Sequence, residues 1–226
     1  MPDGLGAQRP RGDIVAVLAK APIPGFAKTR LIPRLGANCA AALHGLMVAR
    51  TLRTAVSAGF AGVSLWCTPS QADPFFQTCR REGEIRLMDQ PHGDLGYRMF
   101  HAFETHLVGG GPVVLIGTDC PSLSVQHLQE ARATLNTGVD AVFVPSLDGG
   151  YAAIGLRRID RLLFTSIAWG TSDVMAVTRS RLRALGWSYH ELPAVRDVDR
   201  PEDVEWLLSS GLLDARELKL LMLREK

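Results

Sequence analysis

The sequence predicts an α/β domain with a mainly parallel sheet covered by helices on both faces. Strand-length apolar runs alternate along the chain with helix-periodic stretches, the pattern of strands joined by crossover helices. The clearest runs, DIVAVLA at 13–19 and PVVLIG at 112–117, are apolar almost throughout, as befits strands buried on both faces. The chain has 226 residues, 46% apolar and 21% charged, so it can bury enough surface to offset the entropy of ordering. One domain is expected over 13–226, after a Gly-, Pro- and Arg-rich disordered leader at 1–12.

The elements follow in order. The first strand, 13–19, runs into a proline-rich loop. An apolar-periodic helix spans Cys39 to Ala58 and stops at Gly59. Gly62 to Thr68 and Ile85 to Met88 read as strands two and three, and Asp94 to Leu107 as a helix with Leu95, Met99, Ala102, Phe103 and His106 close to one face. Gly109–Gly111 form a polar turn before the fourth strand. Ser124 caps a helix to about Asn136. Val139–Val144 and Ala152–Leu156 flank a tight turn, which brings antiparallel pairing into the sheet. Thr171 or Ser172 caps a helix closed by Gly186, with Arg179, Arg181 and Arg183 on its solvated face. Trp187–Leu192 is a last strand, and two helices start near Pro201 and Asp214.

Several function classes drop out. A formal charge of +2 gives no concentrated basic face for nucleic acid. No uninterrupted apolar stretch approaches the ~20 residues of a membrane span, and the N-terminus has no secretory h-region. The four cysteines are scattered without CxxC spacing, which suits reduced thiols in a cytoplasm. Oligomeric state is left open; the leucine-rich stretch Leu212–Leu223 is expected to pack on its own domain.

In open α/β sheets ligands bind beyond the carboxyl ends of the strands. After the first strand come Lys20, Lys28 and Arg30, with Gly25 between them, a loop suited to diphosphate or triphosphate. There is no GxGxxG or GxxxxGK[ST], so neither a standard dinucleotide fold nor a P-loop is expected. Asp119 directly follows PVVLIG, where an unpaired buried carboxylate would be very costly. It is expected to hold Mg²⁺ or Mn²⁺, hard cations that take one or two carboxylates plus phosphate oxygens. Asp197 or Asp199, from RDVDRPED, could reach the same ion. Asp148-Gly149-Gly150-Tyr151 suits the acceptor or sugar side, with Asp148 as general base. Trp169, Thr171 and Ser172 at a helix start are further contacts on that side. Asp94 and Arg98 open a helix and are candidate nucleotide ligands, although capping alone accounts for Asp94. Cys120 has no visible partner base and reads as inert.

Taken together, KAPIPGFAKTRL, GDLGYRM, LIGTDCPSL, SLDGGYAAIGL, WGTSDV and RDVDRPEDV resemble one family. It comprises glycosyltransferase-like bacterial proteins of GT-A (nucleotide-diphospho-sugar transferase) fold, formerly domain of unknown function 2064. They are associated with arsenosugar and radical-SAM gene neighbourhoods and are similar to phospholactate guanylyltransferases. The likeness runs from about Ile14 to Leu207. It implies a GT-A-like three-layer sandwich, a nucleotide over the first loop and a divalent cation at Asp119. Two departures stand out. Pro121 occupies the last place of the DxD triplet of such glycosyltransferases, and Arg200 replaces the Thr of DxDTPEDL in nucleotidyltransferases.

Three readings follow. The first is metal-dependent transfer of a sugar from a nucleoside-diphospho-sugar to a small acceptor. The second is nucleotidyl transfer onto a phosphorylated small molecule with release of pyrophosphate. The third is a nucleotide-binding regulatory module without turnover.

Overall fold

A computed structural model describes residues 12–81, 83–215 and 217. The expected leader therefore lies outside the described residues except Gly12, which opens the first strand. Seven strands form one sheet: β1 Gly12–Lys20, β2 Gly62–Thr68, β3 Ile85–Asp89, β4 Gly110–Ile116, β5 Ala141–Pro145, β6 Tyr151–Leu156 and β7 Tyr189–Glu191. Their order is β3-β2-β1-β4-β6-β5-β7, with β6 alone antiparallel to its neighbours. The parallel strands consequently all deliver their C-terminal ends to one edge, and the β5–β6 turn lies at that edge too.

Among the described residues six α-helices cover the sheet: α1 Ile32–Ser57, α2 Pro74–Arg81, α3 Leu95–Leu107, α4 Val125–Asn136, α5 Val174–Ala184 and α6 Pro201–Ser209. On one face Val15, Val17, Leu65 and Val114 meet Val48 and Leu52 of α1 and Leu128 and Leu135 of α4. On the other, Ile14, Ala16, Trp66 and Phe143 meet Met99 and Phe103 of α3 and Met175 and Leu182 of α5. A third cluster joins Leu31, Leu43 and Met47 to Val198, Val204 and Leu207, fastening α6 to α1. The expected three-layer sandwich is the observed one.

Several elements differ from expectation for local reasons. Helical structure begins at Ile32 rather than Cys39, broken at Gly36 by an extended, left-handed conformation (φ 73°, ψ 160°) open to glycine. With a short 3₁₀ turn ahead of it, Thr29–Ser57 is long and apolar enough to cross a membrane by length and composition. No single apolar run announced this, because the stretch is interrupted by polar residues; in the fold, Leu43, Met47, Val48, Leu52 and Ala55 are core. Helix α2 was not expected. Asp73, before Pro74, accepts from the Phe75 amide at 2.9 Å, and Phe76 and Cys79 supply its buried stripe.

Neither Thr171 nor Ser172 caps α5, which starts at Val174. Its Met175 amide instead donates to the Gly149 carbonyl at 2.9 Å, so the β5–β6 turn satisfies a donor that a hydroxyl would otherwise take. Of the arginines of α5, Arg183 is exposed as expected, but Arg179 and Arg181 are not merely solvated. Arg179 makes two 2.7 Å bonds to Glu191 on β7, and Arg181 donates to the Leu162 and Ser166 carbonyls. The Gly109–Gly111 turn is shorter than expected, since β4 begins at Gly110, and a side chain at Gly111 would collide with the backbone of Gly12. The helix expected from Asp214 lies mostly outside the described residues, as does most of Leu212–Leu223; Leu213 is buried in the α1–α6 cluster.

Candidate active site at the C-terminal edge of the sheet

The end of β1 is anchored before any charge is placed. The Lys20 carbonyl accepts from His44 Nε2 of α1 at 3.0 Å, and the Ala21 amide donates to Thr68 at the end of β2. Lys20 itself is exposed, its ammonium 5.6 Å from the Phe26 ring centroid. Gly25 has φ 81°, and a side chain there would meet nothing within 4 Å, so the loop keeps an open side at that point. Gln90, just past β3, donates to the Ala19 and Trp66 carbonyls at 3.0 and 2.8 Å and accepts from Arg98. Arg98 also donates to the Gly93 carbonyl, and Asp94 caps α3 by accepting from the Tyr97 amide at 2.8 Å. Arg98, through Gln90, thus fastens the start of α3 to the ends of β1 and β2, while Asp94 serves as the cap of its own helix.

Lys28 takes a different place from the one expected. Its backbone is left-handed (φ 50°, ψ 43°), which costs a residue with a Cβ about 1–2 kcal/mol. That turn sends the side chain inward, leaving it 3% exposed. The ammonium lies 2.5 Å from the Val198 carbonyl, 2.6 Å from Asp119 Oδ1 and 3.9 Å from Asp199 Oδ1. It is therefore turned away from the open side of the loop, where Lys20 and Arg30 remain. Arg30 is 63% exposed at the side chain and reaches Asp199 Oδ2 at 2.5 Å.

Asp119 follows β4, and its carbonyl accepts from the Val198 amide at 2.8 Å, which ties the 197–199 segment to the strand end. Burial by the surrounding protein opposes its ionisation, but Lys28, by charge and hydrogen bond, with His44 and Lys20, reverses the balance and lowers its pKa. The side chain is nevertheless 54% accessible, so one edge of the carboxylate faces solvent. His44 is the buried counterpart. Desolvation lowers its pKa, opposed by Asp119 and reinforced by Lys28, and its Nδ1 has no hydrogen-bond partner.

Asp197 behaves in the opposite sense. Partial burial raises its pKa, and Asp148, Asp203 and Asp199 push it the same way. Asp148 and Asp197 are thus close enough to repel. Asp199 is already matched by Arg30 and Lys28, leaving Asp197 as the under-compensated acid. The loop that carries both is held by Asp203, which accepts from the Asp199 and Arg200 amides at 3.1 and 2.8 Å and from Arg196. The acid at the third helical position reaches back to the Arg200 amide, so the acid's half of a capping box forms without a Thr hydroxyl at the cap.

Asp148 is exposed in the β5–β6 turn, where Oδ1 accepts from the Ser146 hydroxyl and, at 2.9 Å, from the Gly150 amide. Gly149 (φ 92°) is packed against Ser172, whose carbonyl oxygen would lie 2.2 Å from any Cβ. This contact brings 148–150 beside Trp169–Ser172, but the glycine serves protein packing rather than an open approach to ligand. Tyr151 points into the core: its ring lies against Phe143, its hydroxyl is 3.9 Å from Met99 sulfur, and burial raises its pKa. Trp169 also packs on that core, with its indole nitrogen buried, and Thr171 donates to the Ala168 carbonyl. Burial and neighbouring acids hold the Cys120 thiol protonated.

One edge therefore gathers Lys20, Arg30, Asp119, Asp148, Asp197 and Asp199, while Tyr151 and Lys28 face inward. Among the described residues no group of three or more His, Cys, Asp or Glu is arranged as a complete metal site. Two concavities of about 440 and 520 Å³ lie elsewhere, the first between Pro22, Pro24, Phe75 and α1, the second at the other end of β2 and β3. Sequence reasoning missed His44, Gln90 and Asp203. A histidine inside an apolar helical stretch was a usable signal for the first, and an acid at the third position of a helix, able to reach back to the cap amide, was one for Asp203; Gln90 reveals itself only through distant partners.

Solved structures of known proteins share this fold. A provisionally named nucleotide-diphospho-sugar transferase from Desulfovibrio desulfuricans G20 superposes with a TM-score of 0.83 at 29% identity, over 94% of this chain and 95% of that one. A cytidylyltransferase from Leptospira borgpetersenii serovar Hardjo-bovis gives 0.58 at 16% identity, over 93% and 92%. The 4-diphosphocytidyl-2C-methyl-D-erythritol synthase of Anaerococcus prevotii gives 0.56 at 10%, over 87% and 96%. At those lower identities the likeness is one of fold, and the fold is GT-A-like. No curated protein sequence matches the chain significantly. Residues 51–171, just over half of the chain, match the profile of the proteins conserved in bacteria that form domain family DUF2064, and the chain belongs to that family.

Proposed function

We propose that the chain is a transferase acting on a nucleoside-diphospho-sugar, passing the sugar to a small acceptor. The observation that carries this reading is the juxtaposition of half-open Asp119 and under-compensated Asp197 with the exposed cations Lys20 and Arg30 on one strand edge. Lys20 and Arg30 take the oxygens of the leaving diphosphate. Asp119 and Asp197 fit Mg²⁺ or Mn²⁺, because such ions favour one or two carboxylates with phosphate oxygens completing the shell. When bound, the ion supplies charge neutralisation on the departing diphosphate. Asp197 is the better second ligand, since Asp199 is matched by arginine and lysine.

Asp148 lies on the acceptor side. The Ser146 and Gly150 bonds fall on Oδ1, so Oδ2 is assigned to the acceptor hydroxyl. In the step, the acceptor oxygen bonds to the anomeric carbon, the bond from that carbon to phosphate oxygen breaks, and the hydroxyl proton passes to Asp148. Gly150, Trp169, Thr171 and Ser172 border this side, with Asp94 and Arg98 supporting the nucleotide side. Four buried cysteines, none in a disulfide, support a cytoplasmic setting.

Nucleotidyl transfer is the second reading. What favours it is that the two carboxylates come from different strand ends rather than from a DxD triplet, on a fold shared with cytidylyltransferases. Product analysis separates the two: released nucleoside diphosphate supports sugar transfer, pyrophosphate supports nucleotidyl transfer, and stabilisation by nucleotide without any product supports a regulatory module. Asp119→Ala is expected to abolish Mn²⁺-dependent thermal stabilisation by nucleotide while keeping a cooperative melt. Undiminished stabilisation in that variant would falsify the site.

A further inference from the structure

Lys28 is buried, whereas Lys20 and Arg30 of the same loop are exposed. An ammonium has three donors and no acceptor, and here the inward-turned group sits among the Val198 carbonyl, Asp119 Oδ1 and Asp199 Oδ1 at 2.5, 2.6 and 3.9 Å. Two of these oxygens belong to acids of the proposed cation centre or its neighbour, and the third lies between Asp197 and Asp199. The side chain is 3% exposed, so phosphate has no direct path to it. On the far side, Asp119 keeps more than half of its side-chain surface in contact with solvent.

We propose that the Lys28 ammonium is a built-in monovalent cation of the acidic centre, which keeps a lone divalent ion weakly bound and makes metal and diphosphate bind as a cooperating pair. This rests on the metal-dependent reading of the site. A second cation arriving on Asp119 meets a positive charge already bonded to the same carboxylate, held where solvent screens poorly. The negative charge of a diphosphate offsets that repulsion. By linkage, diphosphate tightens the divalent ion by the same factor as the ion tightens diphosphate. Lys28 is thus a positioning residue, acting through Asp119 and touching no reacting atom.

The test is Mn²⁺ titration of the full-length protein, followed by the loss of the free-ion electron paramagnetic resonance signal, without nucleotide and then with inorganic pyrophosphate, corrected for complexes formed in solution. Lys28→Met is expected to bind Mn²⁺ alone at least tenfold more tightly than the parent, and to lose most of the enhancement by pyrophosphate. Equal or weaker binding of Mn²⁺ alone by a folded Lys28→Met overturns the proposal while leaving the metal site intact. If Lys28→Met does not fold, the parent decides: enhancement by pyrophosphate of tenfold or more is expected, and its absence overturns the proposal. Failure of the parent to bind Mn²⁺ under either condition overturns both this proposal and the metal-dependent reading.

Discussion

At the residue scale, two aspartates six positions apart have opposite effects on stability. Asp203 has a lowered pKa: burial opposes its charge, and the Arg200 and Asp199 amides with Arg196 overcome it. Its stabilisation is present above the ordinary aspartate value of about 3.9 and is lost as pH falls through the lower folded value. Asp197 has a raised pKa, so its contribution is favourable at low pH and is lost as pH rises through the folded value. In urea unfolding at pH 7 without metal, Asp203→Ala should cost about 1–3 kcal/mol, because it strands two amides and a guanidinium. Asp197→Asn should be more stable than the parent at pH 7, and that gain should vanish toward pH 3. A destabilised Asp197→Asn at pH 7 contradicts the crowding of acids around that site. The candidate acids were legible as charges placed just after apolar strands. The direction of Lys28 was not, because its partners lie 91 and 170 positions away along the chain, and nothing in AKTRL specifies a left-handed turn at a lysine.

At the element scale, the β5–β6 turn and the start of α5 behave as one unit. Gly149 presses on Ser172, and its carbonyl receives the Met175 amide. Gly149→Ala adds a Cβ both at positive φ and against backbone, where no side-chain rotation relieves it. A loss of roughly 2 kcal/mol or more is expected, at the large end for a single methyl group. Chemical denaturation measures it, and an unchanged midpoint contradicts the packing of turn on helix. Strands were the most legible elements, since β2 follows GVSLWCT from end to end. Helix starts were less so: Ser124 and Asp94 cap as their side chains suggest, whereas α5 takes its donor partner from another element. The short helix α2 is strongly amphipathic but only eight residues long, too short for a period to declare itself against its surroundings.

At the scale of the whole molecule, the α/β/α layering followed from the alternation of elements, while the position of β6 between β4 and β5 did not. Strand order depends on contacts between distant segments, which local patterns leave open. The α1–α6 cluster also joins distant segments, with Leu31, Leu43 and Met47 covered by residues from 198 onward. A chain ending at residue 194 should therefore expose that apolar patch, and is expected to bind a hydrophobic dye and aggregate on warming. A soluble, cooperatively melting fragment of that length would show that the cluster is dispensable. Because Val198 is hydrogen-bonded to Asp119 across 79 positions, the two halves of the acidic centre leave the ribosome at different times. A nascent chain carries the earlier carboxylate long before its counterparts emerge, so this edge cannot be assembled until the residues around 197–199 have left the ribosome.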